Sequence, residues 1–244
     1  MGHRGPLSKA KIDPANAPPY GFWTMCGRFA LTLPHDAMAQ IFDAVIAQSL
    51  MPTPRYNICP TQAITTVVAH EDGRHLTPMR WGFLPHWYKT DRDGPLLINA
   101  RAETIAEKPA FRKAVRERRC LIPATGFYEW TKTPEGQRLP WYIHPSEASH
   151  LAFAGVWRDW TGAEGQSLAT CAMVTTAANP RISEIHHRMP VLIQPENYGL
   201  WLGEEGHGAA VLMQAAPEDF LSFHRVDPKV NSNRPEGEDL IVPL

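Results

Sequence analysis

The hydrophobic pattern of this chain starts late. Residues 1–24 show no apolar period, whereas 35–50 repeats Met38, Ile41, Phe42, Val45 and Ile46 at helical spacing until Pro52-Thr53-Pro54 interrupts it. That spacing predicts a helix. Beyond it the pattern changes: 64–70, 76–83, 119–130, 141–143, 151–157 and 168–176 are rich in β-branched and aromatic residues and bounded by Gly, Pro or Asp, which predicts strands. Two further helices are expected, a basic one over 107–118 and one over 195–202 with Pro at its first turn. Strand clusters with few intervening helices predict an α+β fold, a single domain over 25–244 with a curved, largely antiparallel sheet or barrel-like core and flanking helices. The first 24 residues, unpatterned and rich in proline, read as a disordered leader.

Composition narrows the class. With 43% hydrophobic and 20% charged residues in 244, the chain has the balance of an ordinary soluble globular protein. No run approaches the roughly 18 apolar residues of a membrane span, and the N-terminus lacks the pattern of a secretory signal. A cytoplasmic protein is expected, associated with the nucleoid when bound to DNA. The cysteines at 26, 59, 120 and 171 are too far apart for a CxxC pair and too few for a disulfide framework. A net charge of -1 argues against a broadly basic nucleic-acid binder, but 17 of the 24 basic residues are arginine, whose planar fork suits phosphate. A local basic groove remains open.

Four stretches carry polar residues that packing does not require. Cys26-Gly27-Arg28 follows Met25, as the residues after a translation start would. In Ile98-Asn99-Ala100-Arg101-Ala102-Glu103 an extended backbone puts Asn99, Arg101 and Glu103 on one face. Gly126-Phe127-Tyr128-Glu129-Trp130 sets a carboxylate among aromatic rings, and Ile185-His186-His187-Arg188-Met189-Pro190 sets two histidines and an arginine before an apolar strand. Each has a plainer reading: Cys26 as a core thiol, Glu129 as a surface residue, Asn99 as a turn cap. The histidine pair has no third ligand at metal spacing, so neither metal nor cofactor is expected.

Taken together, MCGRF, RYNICPTQ (55–62), RWGFLPHW (80–87), INARAET (98–104), CLIPATGFYEW (120–130), MVTTAAN (173–179) and IHHRMPVLI (185–193) stand in the order found in one family. On these blocks the chain resembles the SRAP proteins, the SOS response-associated peptidase family of abasic-site processing proteins, from Met25 to its C-terminus. The resemblance implies that Met25 is removed, so that Cys26 carries both a free amine and a thiol. The amine forms a Schiff base with the aldehyde of an abasic site, and the thiol closes a stable thiazolidine. It also implies a catalytic set of Cys26, Asn99, Glu129 and His186, with Arg28, Trp81, Trp87, Arg101, Thr175 and Arg188 contacting DNA. The partner implied is single-stranded DNA holding an abasic site; a monomer is the default expectation for the chain.

Two departures from the family pattern matter. Many members have His-Asp-Arg where this chain has His186-His187-Arg188, and the spacing to Arg188 favours His186 as the catalytic residue. The residues before Cys26 leave three routes open: translation starts at Met25, the domain cleaves its own Met25–Cys26 bond, or the leader persists and blocks crosslinking. Two other functions compete, a cysteine peptidase acting on proteins and a non-covalent single-strand-binding module.

Overall fold

The computed structural model describes residues 26–47 and 49–244, so the expected leader over 1–24 lies outside the described residues. In chain order the strands and helices are β1 (Phe29–Leu31), α1 (His35–Phe42), β2 (Ala44–Ile46), β3 (Arg55–Ile58), β4 (Ala63–His70), β5 (Gly73–Trp81) and β6 (Asn99–Arg101). There follow α2 (Ala114–Glu117), β7 (Arg119–Ala124), β8 (Gly126–Lys132), β9 (Arg138–Pro145), β10 (Leu151–Thr161) and β11 (Ser167–Ala177). The chain ends with α3 (Pro180–Ser183), β12 (Arg188–Pro190), α4 (Tyr198–Leu202) and β13 (Leu221–Arg225).

Strands β11, β10, β7, β4 and β5 pair in turn, and β5 returns to β11 through parallel pairing of Arg80 with Thr170 and Trp81 with Cys171. That closure makes a barrel and removes its free edges. A second sheet runs β13-β9-β8-β1-β3, and its inner rings reach the aromatic core of the barrel. Phe29 of β1 meets Trp81 and Phe153 edge-on at 5.2 and 5.8 Å, and Phe127 of β8 meets Phe153 at 5.9 Å. These T-shaped contacts align ring edges with ring faces and fix the two sheets against each other. The architecture is the expected α+β domain with a largely antiparallel, barrel-like core; β2 on β5, β5 on β11 and β6 on β11 are its parallel pairings among the described residues. No described helix is long and apolar enough to cross a membrane.

Three expected elements come out differently. The helix over 35–50 stops at Phe42, because Asp43 turns left-handed at φ 48° and its N–H caps the carbonyls of Ala39 and Gln40. Only Met38 and Phe42 of α1 are buried, and Val45 and Ile46, which looked like its continuation, lie exposed on the edge strand β2. The basic segment 107–118 is a run of turns with one short helix, α2, because Phe111 and Ala114 are its only residues buried in the core. The strand over 119–130 is two strands, β7 in the barrel and β8 in the second sheet. Gly126 permits this switch: a Cβ there would lie 2.3 Å from the ring of Tyr142, so only glycine lets the backbone pass. The segment 195–202 forms a 3-10 turn, Pro195–Asn197, leading into α4.

Candidate active site

The register of β1 on β8 builds the centre of the site. Phe29 opposes Phe127, Ala30 opposes Gly126, and Tyr128 donates to the Arg28 carbonyl at 3.0 Å, which carries Cys26 alongside Glu129. Alternation along β8 sends Phe127 toward the barrel and Tyr128 to the other face, where it packs with Tyr142 and Val226. Glu129 thus shares the inner face, only 2% exposed. Its Oε1 accepts the backbone N–H of Cys26 at 2.6 Å. Burial raises the Glu129 carboxyl above the ordinary carboxylate range, while His186 and the Cys26 hydrogen bonds pull it back. Burial, joined by the charge of Glu129, also pushes the Cys26 thiol well up, opposed by Arg188. Cys26 therefore rests as a thiol. A standing thiolate, of the sort a peptidase nucleophile uses, is disfavoured here.

His186 arrives from the loop after α3. Asn179 caps α3 by accepting from Ile182 N at 2.8 Å, its amide nitrogen donates to the Ala216 carbonyl at 3.0 Å, and the His186 N–H then bonds the Ile182 carbonyl at 3.0 Å. These bonds place His186 Nδ1 3.8 Å from Glu129 Oε1. The N–H of Arg188 lies 3.1 Å from the same nitrogen, which can accept it in the tautomer protonated at Nε2. His187 is exposed, with its ring 4.4 Å from that of His186. Partial desolvation, and then the charges of His186, Arg188 and Arg101, hold its imidazole below the usual histidine value.

The arginines divide into two kinds. Arg188 is buried and forked onto Glu103 at 2.6 and 2.9 Å, with a further bond to the Thr175 carbonyl at 2.7 Å. That pairing holds the Glu103 carboxyl below the usual range. Arg28, expected to face phosphate, instead spends its Nη1 on Asn57 Oδ1, Val230 O and Ser232 O at 2.7, 2.6 and 3.0 Å, tying the C-terminal segment to β3. Arg101, by contrast, is exposed at the end of β6, two residues beyond Asn99, which lies opposite Met173.

Three expectations about DNA contact change accordingly. Trp81 is fully buried, its indole N–H bonded to the Ile98 carbonyl at 3.0 Å, so its ring closes the barrel core and offers no face to a base. Thr175 is also fully buried, bracing Arg188 instead of meeting a strand. Arg28 is a tie between segments. Trp87 does present a surface, 48% exposed beside His86. Asn179, which anchors the His186 loop, stands in an Asn-Pro pair at 179–180 that is a readable helix start.

The family model described as SOS response associated peptidase (SRAP) matches residues 25–233. The chain belongs to the SRAP family. It is 36% identical over 224 residues to the abasic site processing protein YoqW of Bacillus subtilis, covering 89% of this chain and 99% of that one. It is 28% identical over 228 residues to the abasic site processing protein YedK of Escherichia coli, covering 90% and 100%. The rat abasic site processing protein HMCES is 28% identical over 269 residues, covering 90% of this chain and 76% of its own. Among solved structures, a protein from Bacteroides thetaiotaomicron superposes with a TM-score of 0.78 at 21% identity, covering 90% of this SRAP chain and all of that one, a likeness of fold.

Proposed function

We propose that this SRAP protein processes abasic sites in DNA by covalent capture, forming a thiazolidine on Cys26 once the Met25–Cys26 bond is broken. The observation that carries the reading is the 2.6 Å contact between the Cys26 nitrogen and the buried Glu129 carboxylate. In this chain that nitrogen is an amide, standing in for the α-amine of a processed N-terminus. An α-ammonium loses its proton with an ordinary pKa of about 7.7–8.0, and an acceptor at hydrogen-bond distance takes that proton. The backbone adds a second reason: Cys26 sits at φ 43°, a left-handed conformation that costs a non-glycine residue about 1–2 kcal/mol. That φ exists only while residue 25 is attached.

The ring-opened deoxyribose of an abasic site exposes C1′ as an aldehyde. The Cys26 amine adds to C1′ while the carbonyl oxygen takes a proton, giving a carbinolamine. Protonation of its hydroxyl expels water, and loss of the N–H proton from the resulting iminium leaves an imine. The Cys26 thiol then adds across the C=N bond, sulfur to C1′ and its proton to nitrogen, closing a five-membered ring. Glu129 suits both proton transfers, because burial raises its carboxyl above the ordinary range and so makes it a better proton acceptor that can then return the proton. His186, 3.8 Å away, hands protons on toward solvent. Single-stranded DNA is the substrate of this reading, since a base missing there needs no unpairing. Exposed Arg101 and Trp87 supply a phosphate contact and a stacking face.

The test begins with the intact mass of purified protein, followed by incubation with an abasic single strand and denaturing electrophoresis. A chain that begins at Cys26 is expected to give a heat-resistant shifted band; such a chain giving none ends the proposal. In the same assay Cys26→Ser loses the stable adduct but keeps a borohydride-trappable imine. A peptidase acting on other proteins predicts the reverse, cleavage of peptides with Met25 still attached and no DNA adduct.

A further inference from the structure

The guanidinium of Arg138, at the start of β9, belongs to none of the contacts described so far. It lies over the Trp130 ring at 4.6 Å from the centroid, on the strand pair that sets Lys132 opposite Arg138 and Trp130 opposite Pro140. Trp130 directly follows Glu129 on β8. Arg28 approaches the same indole at 5.9 Å, but its Nη1 is already shared among three oxygen acceptors. The Arg138 carbonyl accepts from Asn231 Nδ2 at 3.5 Å, but its guanidinium makes no hydrogen bond or ion pair among the described residues.

Its electrostatic setting is unfavourable as it stands. Partial burial and repulsion from Arg28 both weigh against the charged guanidinium, and the opposing pull comes from Glu129, whose own burial favours the neutral acid. Two positive charges gathered around one indole, one of them without an acceptor, attract an anion. A guanidinium lying over an aromatic face keeps its five donors in its own plane, where they match the paired oxygens of a phosphate. The segment is also well placed. Arg138 pairs with Lys132 on the Trp130 face of β8, and Arg28, two residues after Cys26, reaches the same indole, so the two guanidiniums bracket a ring that directly follows Glu129 in the chain.

We propose that Arg138, braced on Trp130, forms a phosphate subsite that holds a phosphodiester of the DNA strand flanking the nucleotide captured by Cys26. This rests on the function proposed above and adds to it a residue that the sequence pattern does not single out. It also couples strand binding to proton transfer. Cys26, His186 and Arg138 all act to lower the raised Glu129 carboxyl, and Arg138 is the one whose charge a bound phosphate screens.

Two variants test it, Arg138→Gln and Arg138→Lys, each against the parent protein. Non-covalent binding is read with a single strand carrying a tetrahydrofuran abasic analogue, which has no aldehyde, over a range of salt. In Arg138→Gln the slope of log K against log salt is expected to fall by about 0.7, one phosphate contact on a single strand, and Arg138→Lys should keep the parental slope. With a natural abasic strand, the limb of the crosslinking pH profile that follows Glu129 should move to higher pH in Arg138→Gln and stay put in Arg138→Lys. An unchanged slope in Arg138→Gln overturns the proposal, and so does an equal loss in both variants, which would assign Arg138 to packing on Trp130. Absence of any adduct in the parent counts against the covalent reading alone, because the analogue measurement needs no crosslink.

Discussion

Glu129 shows how much one residue's surroundings decide. Its sequence neighbours, Tyr128 and Trp130, left burial open, and the strand register settles it by running Cys26 past the carboxyl. Because its folded pKa is raised, the folded state binds more protons than the unfolded chain over the interval above about pH 4.3, so Glu129 makes stability fall as pH rises through that interval. Glu129→Gln removes the cost. Thermal melts should show the variant more stable than the parent at pH 7, with the difference gone below about pH 4. Crosslinking by the same variant should slow by about 100-fold or more, the usual contribution of a placed acid or base. A variant that is both more stable and slower marks a group kept for chemistry at the expense of the fold.

At the scale of elements, the turn from β7 into β8 matters most to the site. The chain leaves the barrel at Ala124 and re-enters pairing at Gly126 in the other sheet, with the Tyr142 ring filling the place of a side chain. Gly126→Ala must push that buried ring or the backbone aside, at a cost of about 1–3 kcal/mol. Glu129 lies three residues farther along the same strand. Chemical denaturation should therefore show the stability loss, and the crosslinking rate should drop while salt-dependent strand binding is largely kept, because the displaced group is the carboxyl. The hydrophobic run over 119–130 contains no sign of two separate sheets except the glycine itself. Likewise Val45 and Ile46 of β2 continue the apolar spacing of a helix, and only the left-handed Asp43 ends it.

For the whole molecule, barrel closure decides which aromatic residues are available to DNA. Trp81 and Trp87 stand six positions apart in one motif, yet β5 carries Trp81 to its junction with β11 and buries it, whereas Trp87 lies beyond the strand, half exposed. Trp81→Ala should cost about 3–5 kcal/mol in equilibrium unfolding and leave the salt slope of strand binding unchanged at a temperature where the variant is folded. A stacking role would give the opposite pair of results. The linear pattern was enough to establish the strand-rich α+β class, because alternation and β-branched runs are local properties. Motif order was enough to establish family membership and to single out Cys26, Glu129 and His186. Tertiary structure alone decided how the arginines are used, since Arg28 and Arg188 are engaged by Asn57, the C-terminal segment and Glu103, while Arg101 and Arg138 are left at the surface. Charge is written in the sequence; whether a charge is already neutralised depends on partners brought together across as many as 204 positions, and only the folded chain fixes those.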